Sequence, residues 1–241
     1  MRTAFFVGFG LLAAAAVAFG AGSIISSFPS PISTYGKGLD YHGGYIYHVT
    51  NANTTCYQTT TTGSVVRSIT FPSQMRGVHF TGSYFWTSDS TRIFRLTTTG
   101  SILSTISTAA AWYGLAFDGT YLWGSNAVTK IITKLTTTGS VITTFTPPGS
   151  FCGDMDWDGS YLWLCDWPAS GAGLYRMTTT GSVVESYVPP PGPTTRPSGC
   201  CWDGNYLWFV SYTAPRYVYQ MDTNITAVLP ASLGKIKSIY R

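Results

Sequence analysis

Gly114-Leu-Ala-Phe-Asp-Gly-Thr-Tyr-Leu-Trp123 is followed by Lys130-Ile-Ile-Thr-Lys-Leu135 and then by Thr136-Thr-Thr-Gly-Ser-Val-Ile-Thr-Thr-Phe145. This is the cleanest of five copies of one unit of about 40 residues. Its Tyr-Leu-Trp element returns at Tyr161–Trp163 and Tyr206–Trp208, and in altered form at Tyr84-Phe-Trp86 and Tyr45-Ile-Tyr47. Its Thr-Thr-Gly-Ser turn returns around Gly63, Gly100 and Gly181, and degenerates to Asp222-Thr-Asn-Ile in the last copy. Each copy reads as strand A, a tight turn, strand B, a loop, strand C, a Gly turn and strand D. Asp118-Gly119, Asp158-Gly159 and Asp203-Gly204 are hairpin signals. If Asp-Gly is the two-residue loop, Phe117 faces Thr120 and Gly114 faces Trp123. Gly38, Gly77 and Gly199 then face Tyr47, Trp86 and Trp208.

A four-stranded sheet of this kind cannot bury both faces alone, whereas a ring of such sheets buries each against its neighbours. The expected fold is therefore all-β, a five-bladed β-propeller of four-stranded antiparallel blades. The blades are expected at about 36–72, 73–109, 110–148, 149–190 and 197–230. Gly22-Ser-Ile-Ile-Ser-Ser-Phe28-Pro matches the strand D segment Gly139-Ser-Val-Ile-Thr-Thr-Phe145. Residues 22–30 are accordingly expected to close the last blade, with Ile225–Leu229 as a competitor for that place. The G-L-A-F-D-G-x-x-L-W pattern resembles secreted propellers of the broad NHL/YncE-like type over about residues 22–230. That resemblance implies the fold and not an activity.

Met1 and Arg2 precede an apolar run from Phe5 to Phe19 ending in small residues. This predicts a signal peptide over residues 1–21, a secreted or cell-surface address, and no membrane span in the mature chain. A retained anchor is the alternative. The net charge is +4, but Arg2 leaves with the signal and Lys235, Lys237 and Arg241 sit in the basic tail at 231–241. The propeller body is then formally neutral, which argues against nucleic acid as a partner.

Five cysteines in an oxidising compartment invite pairing. Counting outward from the fourth Asp-Gly turn sets Cys152 opposite Cys165, and a disulfide is expected there. Cys200 and Cys201 should point to opposite faces of their strand. Cys56 replaces the Ile or Leu of other copies as a small apolar filler.

Asp154-Met-Asp156-Trp-Asp158-Gly159 supplies the first half of a calcium loop and lacks the second. No cofactor is expected, with Ca²⁺ as the one ion for which the sequence offers a place. Asp40, His79 and Asp156 share one register in strand A and are the candidates for an acid/base set. The long irregular segments are 166–173, 189–198 and 211–216. All three lie on the rim formed by B–C and D–A loops in blades four and five, where variable loops on a rigid scaffold usually bind. Asp166, Trp167, Arg196, Tyr212 and Arg216 are the expected ligand-binding residues. The expected function is a binding or interaction module for a protein or glycan at the cell surface. A self-assembling structural subunit and a propeller hydrolase or lyase are the alternatives.

Overall fold

The structure, a computed structural model, describes residues 19–20, 22–108, 111–167, 173–189 and 196–223. Every regular element among them is a strand. No helix among the described residues is long and apolar enough to cross a membrane. β1 (Phe19–Gly20) and β2 (Ser23–Pro29) precede the first blade, β3 (Gly36–His42), β4 (Tyr45–Thr50), β5 (Thr55–Thr60) and β6 (Val65–Thr70). Blade two is β7 (Gly77–Phe80), β8 (Tyr84–Ser88), β9 (Arg92–Thr97) and β10 (Ile102–Ser107). Blade three is β11 (Trp112–Phe117), β12 (Leu122–Asn126), β13 (Ile131–Leu135) and β14 (Val141–Phe145). Blade four is β15 (Cys152–Trp157), β16 (Leu162–Asp166), β17 (Leu174–Met177) and β18 (Val183–Tyr187). Blade five is β19 (Pro197–Trp202), β20 (Leu207–Ser211) and β21 (Tyr217–Asp222), completed by β2 pairing antiparallel to β21. The chain's own N-terminal strand thus closes the ring, as the match between residues 22–29 and strand D requires. The competing segment 225–229 and the ends 1–18 and 224–241 lie outside the described residues.

The core is five separate clusters, one at each junction between blades. The junction of blades one and two packs Tyr47, Val49, Met75, Val78 and Phe85, for example, while that of three and four packs Ala116, Trp123, Met155 and Leu164. Each fully buried side chain of this size contributes roughly 1.5–3 kcal/mol before chain entropy is charged against it. No blade holds that energy by itself, which is why the ring folds as a unit.

The inner strands run almost in contact. A Cβ on Gly77 would lie 2.6 Å from the Leu115 nitrogen, and one on Gly38 would lie 2.7 Å from the Arg76 carbonyl oxygen. These glycines are required by the approach of the next blade's backbone, and not by room for an indole, as the expected pairing implied. The observed pairs are Ala116↔Trp123, Asp40↔Tyr47, His79↔Trp86 and Cys201↔Trp208. Gly114 faces Ser125 instead of Trp123.

The turn lies one residue later than expected, which moves each cross-strand partner by two positions, and the shift has a local cause. Asp118 is the residue before the loop, not its first member. Its Oδ1 accepts the N–H groups of Thr120 and Tyr121, and its Oδ2 accepts Trp123 Nε1–H at 2.9 Å. Asp203 does the same for Asn205, Tyr206 and Trp208. The D-G-x-Y-L-W motif is thus one hydrogen-bonded device, an Asx turn whose second oxygen pins the indole. In blade four Asp158 Oδ2 is instead taken by Arg176 at 2.6 Å, and Trp163 Nε1 is left without a partner.

The same slip, with a bulge between Cys152 and Met155, removes the expected disulfide. Cys152 pairs with Asp166 and not with Cys165. The two thiols lie on opposite faces of blade four: Cys152 packs toward blade three and Cys165 toward blade five. All five cysteines are free and buried. Cys200 and Cys201 do occupy opposite faces, in the four–five and five–one junctions respectively.

The outer edge carries one more repeated device. The fourth strand of every blade (β6, β10, β14, β18 and β2) has a bulge near its start, and the extra residue is Val66, Leu103, Ile142, Val184 or Ile25. Bulges twist an edge strand away from pairing with other chains.

Candidate functional site at the channel

The five A strands line the central axis, and two layers of chemistry follow from their register. The upper layer lies at the end where A strands begin, beside the B–C and D–A loops. Lys37, Tyr113, Gly153 and Ser198 occupy equivalent positions there, three residues before Asp40, Ala116, Asp156 and Cys201, with Arg76 three before His79. Lys37, Tyr113, Gly153 and Ser198, with Phe151 and Trp167, line a narrow crevice at the mouth.

Lys37 Nζ lies 5.2 Å from the Tyr212 ring, 5.5 Å from Trp167 and 5.9 Å from Tyr113. Arg76 sits over Tyr113 at 4.4 Å, Arg196 over Trp167 at 5.9 Å, and Arg216 over Tyr35 at 5.4 Å. The rings also touch one another. Tyr35 and Tyr212 stack at 4.6 Å, Trp167 and Tyr212 lie 4.2 Å apart, and Phe151 meets Trp167 at 5.1 Å. Cation–π contacts of this length hold four cations against a shared aromatic wall. Burial, and then the Arg76 charge beside it, lower the Lys37 pKa below its ordinary value. Among the described residues none of these four cations has a carboxylate partner. Trp167 Nε1 and Arg216 Nε are buried and without hydrogen-bond partners there.

Four of the five expected rim residues, Trp167, Arg196, Tyr212 and Arg216, therefore come together, and the fifth does not join them. Asp166 is fully buried, and its carboxylate accepts the N–H groups of Ser150 and Phe151 at 2.8 and 2.6 Å. Burial pushes its pKa up to about 6 despite those bonds. It is a loop-ordering group, not a ligand-facing one. Lys37, Arg76 and Tyr35 were not singled out from the sequence. The signal was present, because Lys37 and Arg76 precede the channel residues Asp40 and His79 by the same three positions.

The lower layer is the register shared by Asp40, His79 and Asp156. His79 Nδ1 is 3.1 Å from Asp40 Oδ1 and 4.0 Å from Asp156 Oδ1. The second oxygen of each carboxylate is fixed by the next blade: the Phe80 N–H donates to Asp40 Oδ2 at 2.9 Å, and the Trp202 N–H donates to Asp156 Oδ2 at 2.7 Å. The imidazole rests edge-on against Phe117 and keeps one fifth of its surface exposed, while both carboxylates are buried. Burial opposes charge on His79, but Asp40 and then Asp156 outweigh it and hold the pKa above its usual value. Burial, reinforced by Asp40, pushes Asp156 up to about 7, against the pull of His79.

Between the layers stands Asp154, in the place of the ring glycine. Its Oδ2 accepts the Leu39 N–H at 2.9 Å and the Cys200 N–H at 3.3 Å, so it reaches past the adjacent blade to blade one. Burial drives its pKa well above the carboxylate range. The expected calcium string does not converge on one point. Asp154 accepts from Leu39 and Cys200, Asp156 faces His79, and Asp158 caps its turn and holds Arg176. A cavity of about 480 Å³ lies between blades two and three; its lining includes Trp112, Asn126, Thr133 and Val141, with no titratable side chain.

No protein-family model and no curated protein matches the sequence. Among solved structures the chain is similar to the Myxococcus xanthus glutaminyl cyclase, with a TM-score of 0.68 and 14% identity over 84% of this chain and 97% of that one. It is also similar to a catalytically inactive virginiamycin B lyase from Staphylococcus aureus, solved with quinupristin. That match has a TM-score of 0.51 and 20% identity, over 81% of this chain and 68% of that one. The WD40 propeller domain of Doa1 gives 0.52 and 15%, over 77% and 62%. These likenesses show the propeller fold. Two of the proteins are enzymes and one is a WD40 domain, so the fold alone selects no function.

Proposed function

We propose that the chain is an extracellular binding module whose upper channel mouth takes an anionic ligand. The observation that carries this reading is the mouth itself: Lys37, Arg76, Arg196 and Arg216 face one aromatic wall without a carboxylate partner among the described residues. Burial, and after it the repulsion of the neighbouring Arg76 charge, lower the Lys37 pKa. An arriving anion relieves that repulsion and is bound by charge-assisted hydrogen bonds. Tyr35, Trp167 and Tyr212 add flat, amphipathic surface for a ring-bearing ligand at small entropic cost. Acidic glycans combine the two features. The test is an array of neutral, carboxylated and sulfated glycans probed with wild type, Lys37→Met and Trp167→Ala. Binding confined to the anionic members, and reduced at least tenfold in both variants, supports the reading. Equal binding of neutral glycans, or full binding by Lys37→Met, overturns it.

A second reading rests on the outer bulges. Val66, Leu103, Ile142, Val184 and Ile25 are 41–54% exposed although apolar, and they recur once per blade. Repeated exposed apolar residues favour contacts between copies in a self-assembling subunit. Concentration-dependent sedimentation that disappears in a variant carrying Ser at Val66, Leu103 and Ile142 would support it. A monomer at every concentration would end it.

A further inference from the structure

We propose that Asp40, His79 and Asp156 form a site for one first-row divalent metal ion in the lower channel, bridging blades one, two and four. Asp40, His79 and Asp156 each offer one ligand atom, and these atoms all lie within 4.8 Å of one another. With two of the separations at 3.1 and 4.0 Å, a point about 2.2–2.4 Å from all three atoms exists. Metal–nitrogen and metal–oxygen bonds of about 2.0–2.2 Å need only a few tenths of an ångström of contraction from that point.

The surroundings favour an ion over a simple hydrogen-bonded triad. Two buried carboxylates converge on one imidazole, and among the described residues no Lys or Arg pairs with either of them. Buried like charges are stable when a cation or a proton intervenes. Each carboxylate has one oxygen fixed by a backbone N–H of the next blade, which leaves the other aimed inward. Outer partners of this kind orient metal ligands. His79 Nδ1 is buried and makes no hydrogen bond of good geometry, though it lies near two acceptors.

The donor set selects the ion. One imidazole disfavours Ca²⁺ and Mg²⁺, which take all-oxygen shells, and two carboxylates disfavour soft ions such as Cu⁺. Mn²⁺, Fe²⁺ and Zn²⁺ remain. Three protein ligands from one side leave coordination positions open toward the accessible face of His79, where water completes the shell. The site is separate from the cationic mouth, with Asp154 lying between them, and it does not depend on what binds there.

The experiment uses the untagged full chain stripped with a chelator. Mn²⁺ is titrated and followed by loss of the free-ion paramagnetic resonance signal, and Zn²⁺ is counted by elemental analysis after desalting. One ion per chain is expected, with an apparent affinity at least tenfold weaker in His79→Gln and in Asp156→Asn and unchanged in Asp158→Asn. His79→Gln leaves both carboxylate-to-backbone bonds in place, so it keeps the test valid if an aspartate variant does not fold. Fewer than about 0.1 equivalents bound by wild type, or full binding by a folded His79→Gln, refutes the site. Loss of binding in Asp158→Asn would move the ion to the Asp154–Asp158 string and refute it equally.

Discussion

Replacing Gly77 by alanine separates two opposing effects by their sign. Gly77 lies in strand β7 with an ordinary strand backbone. Alanine there narrows the unfolded ensemble, and this alone stabilises by roughly 0.5–1 kcal/mol. The added Cβ, however, would sit 2.6 Å from the Leu115 nitrogen and 2.9 Å from both the Gly114 carbonyl carbon and Leu115 Cβ. Ordinary contact begins near 3.4 Å, so the two inner strands must part by about 0.8 Å. No flexible side-chain end is available to give way. Overpacking of a dense core costs typically 1–3 kcal/mol, and displacing backbone puts this site at the upper end. The net expectation is destabilisation by about 2 kcal/mol. For a domain of this size that corresponds to a fall in Tm of roughly 4–8 °C. Thermal unfolding followed by near-ultraviolet circular dichroism reads it directly. A Tm equal to or above wild type would mean that the inner strands are not in contact, and the account of the ring glycines would fail.

Asp203→Ala removes an acceptor from the Asn205 and Tyr206 N–H groups and from Trp208 Nε1. A loss of about 2–3 kcal/mol in urea unfolding is expected, with only part of it restored in Asp203→Asn, whose single amide oxygen can serve the backbone N–H groups or the indole but not both. His48 is buried, its Nε2 2.8 Å from Thr59 Oγ1, and burial holds its pKa down at about 3. The unfolded state takes up the proton near pH 6.5 and the folded state does not. Wild type should therefore lose stability relative to His48→Phe as pH falls from 6.5 toward 3, by about 1.4 kcal/mol per unit. A pH-independent difference would show that His48 is solvated.

Much of the architecture was legible because it is written five times over. Blade number, the sheet order and the closing strand at residues 23–29 follow from repeat spacing alone. The opposite faces of Cys200 and Cys201 follow from the two-residue period of a strand. The hairpin turns fall one residue later than the dipeptide rule places them, and each pairing two positions away, because Asp118 and its counterparts act through their side-chain oxygens, and a dipeptide rule sees only backbone angles. That single slip also carried away the Cys152–Cys165 bridge, helped by a bulge that nothing in residues 152–155 announces.

What the sequence determined by itself is the set of local and repeated features: which residues alternate inward, where the chain turns, and that Asp40, His79 and Asp156 share a level. Only the tertiary structure decided their distances. Residues separated by 39 to 116 positions meet because five wedge-shaped sheets close around an axis. The radius of that axis is set by how nearly the ring glycines let neighbouring backbones approach. The same closure drew Lys37 and Arg76 from the first two blades to an aromatic wall built from Tyr113, Trp167 and Tyr212 of the last three, a meeting that depends on ring geometry and on no local pattern.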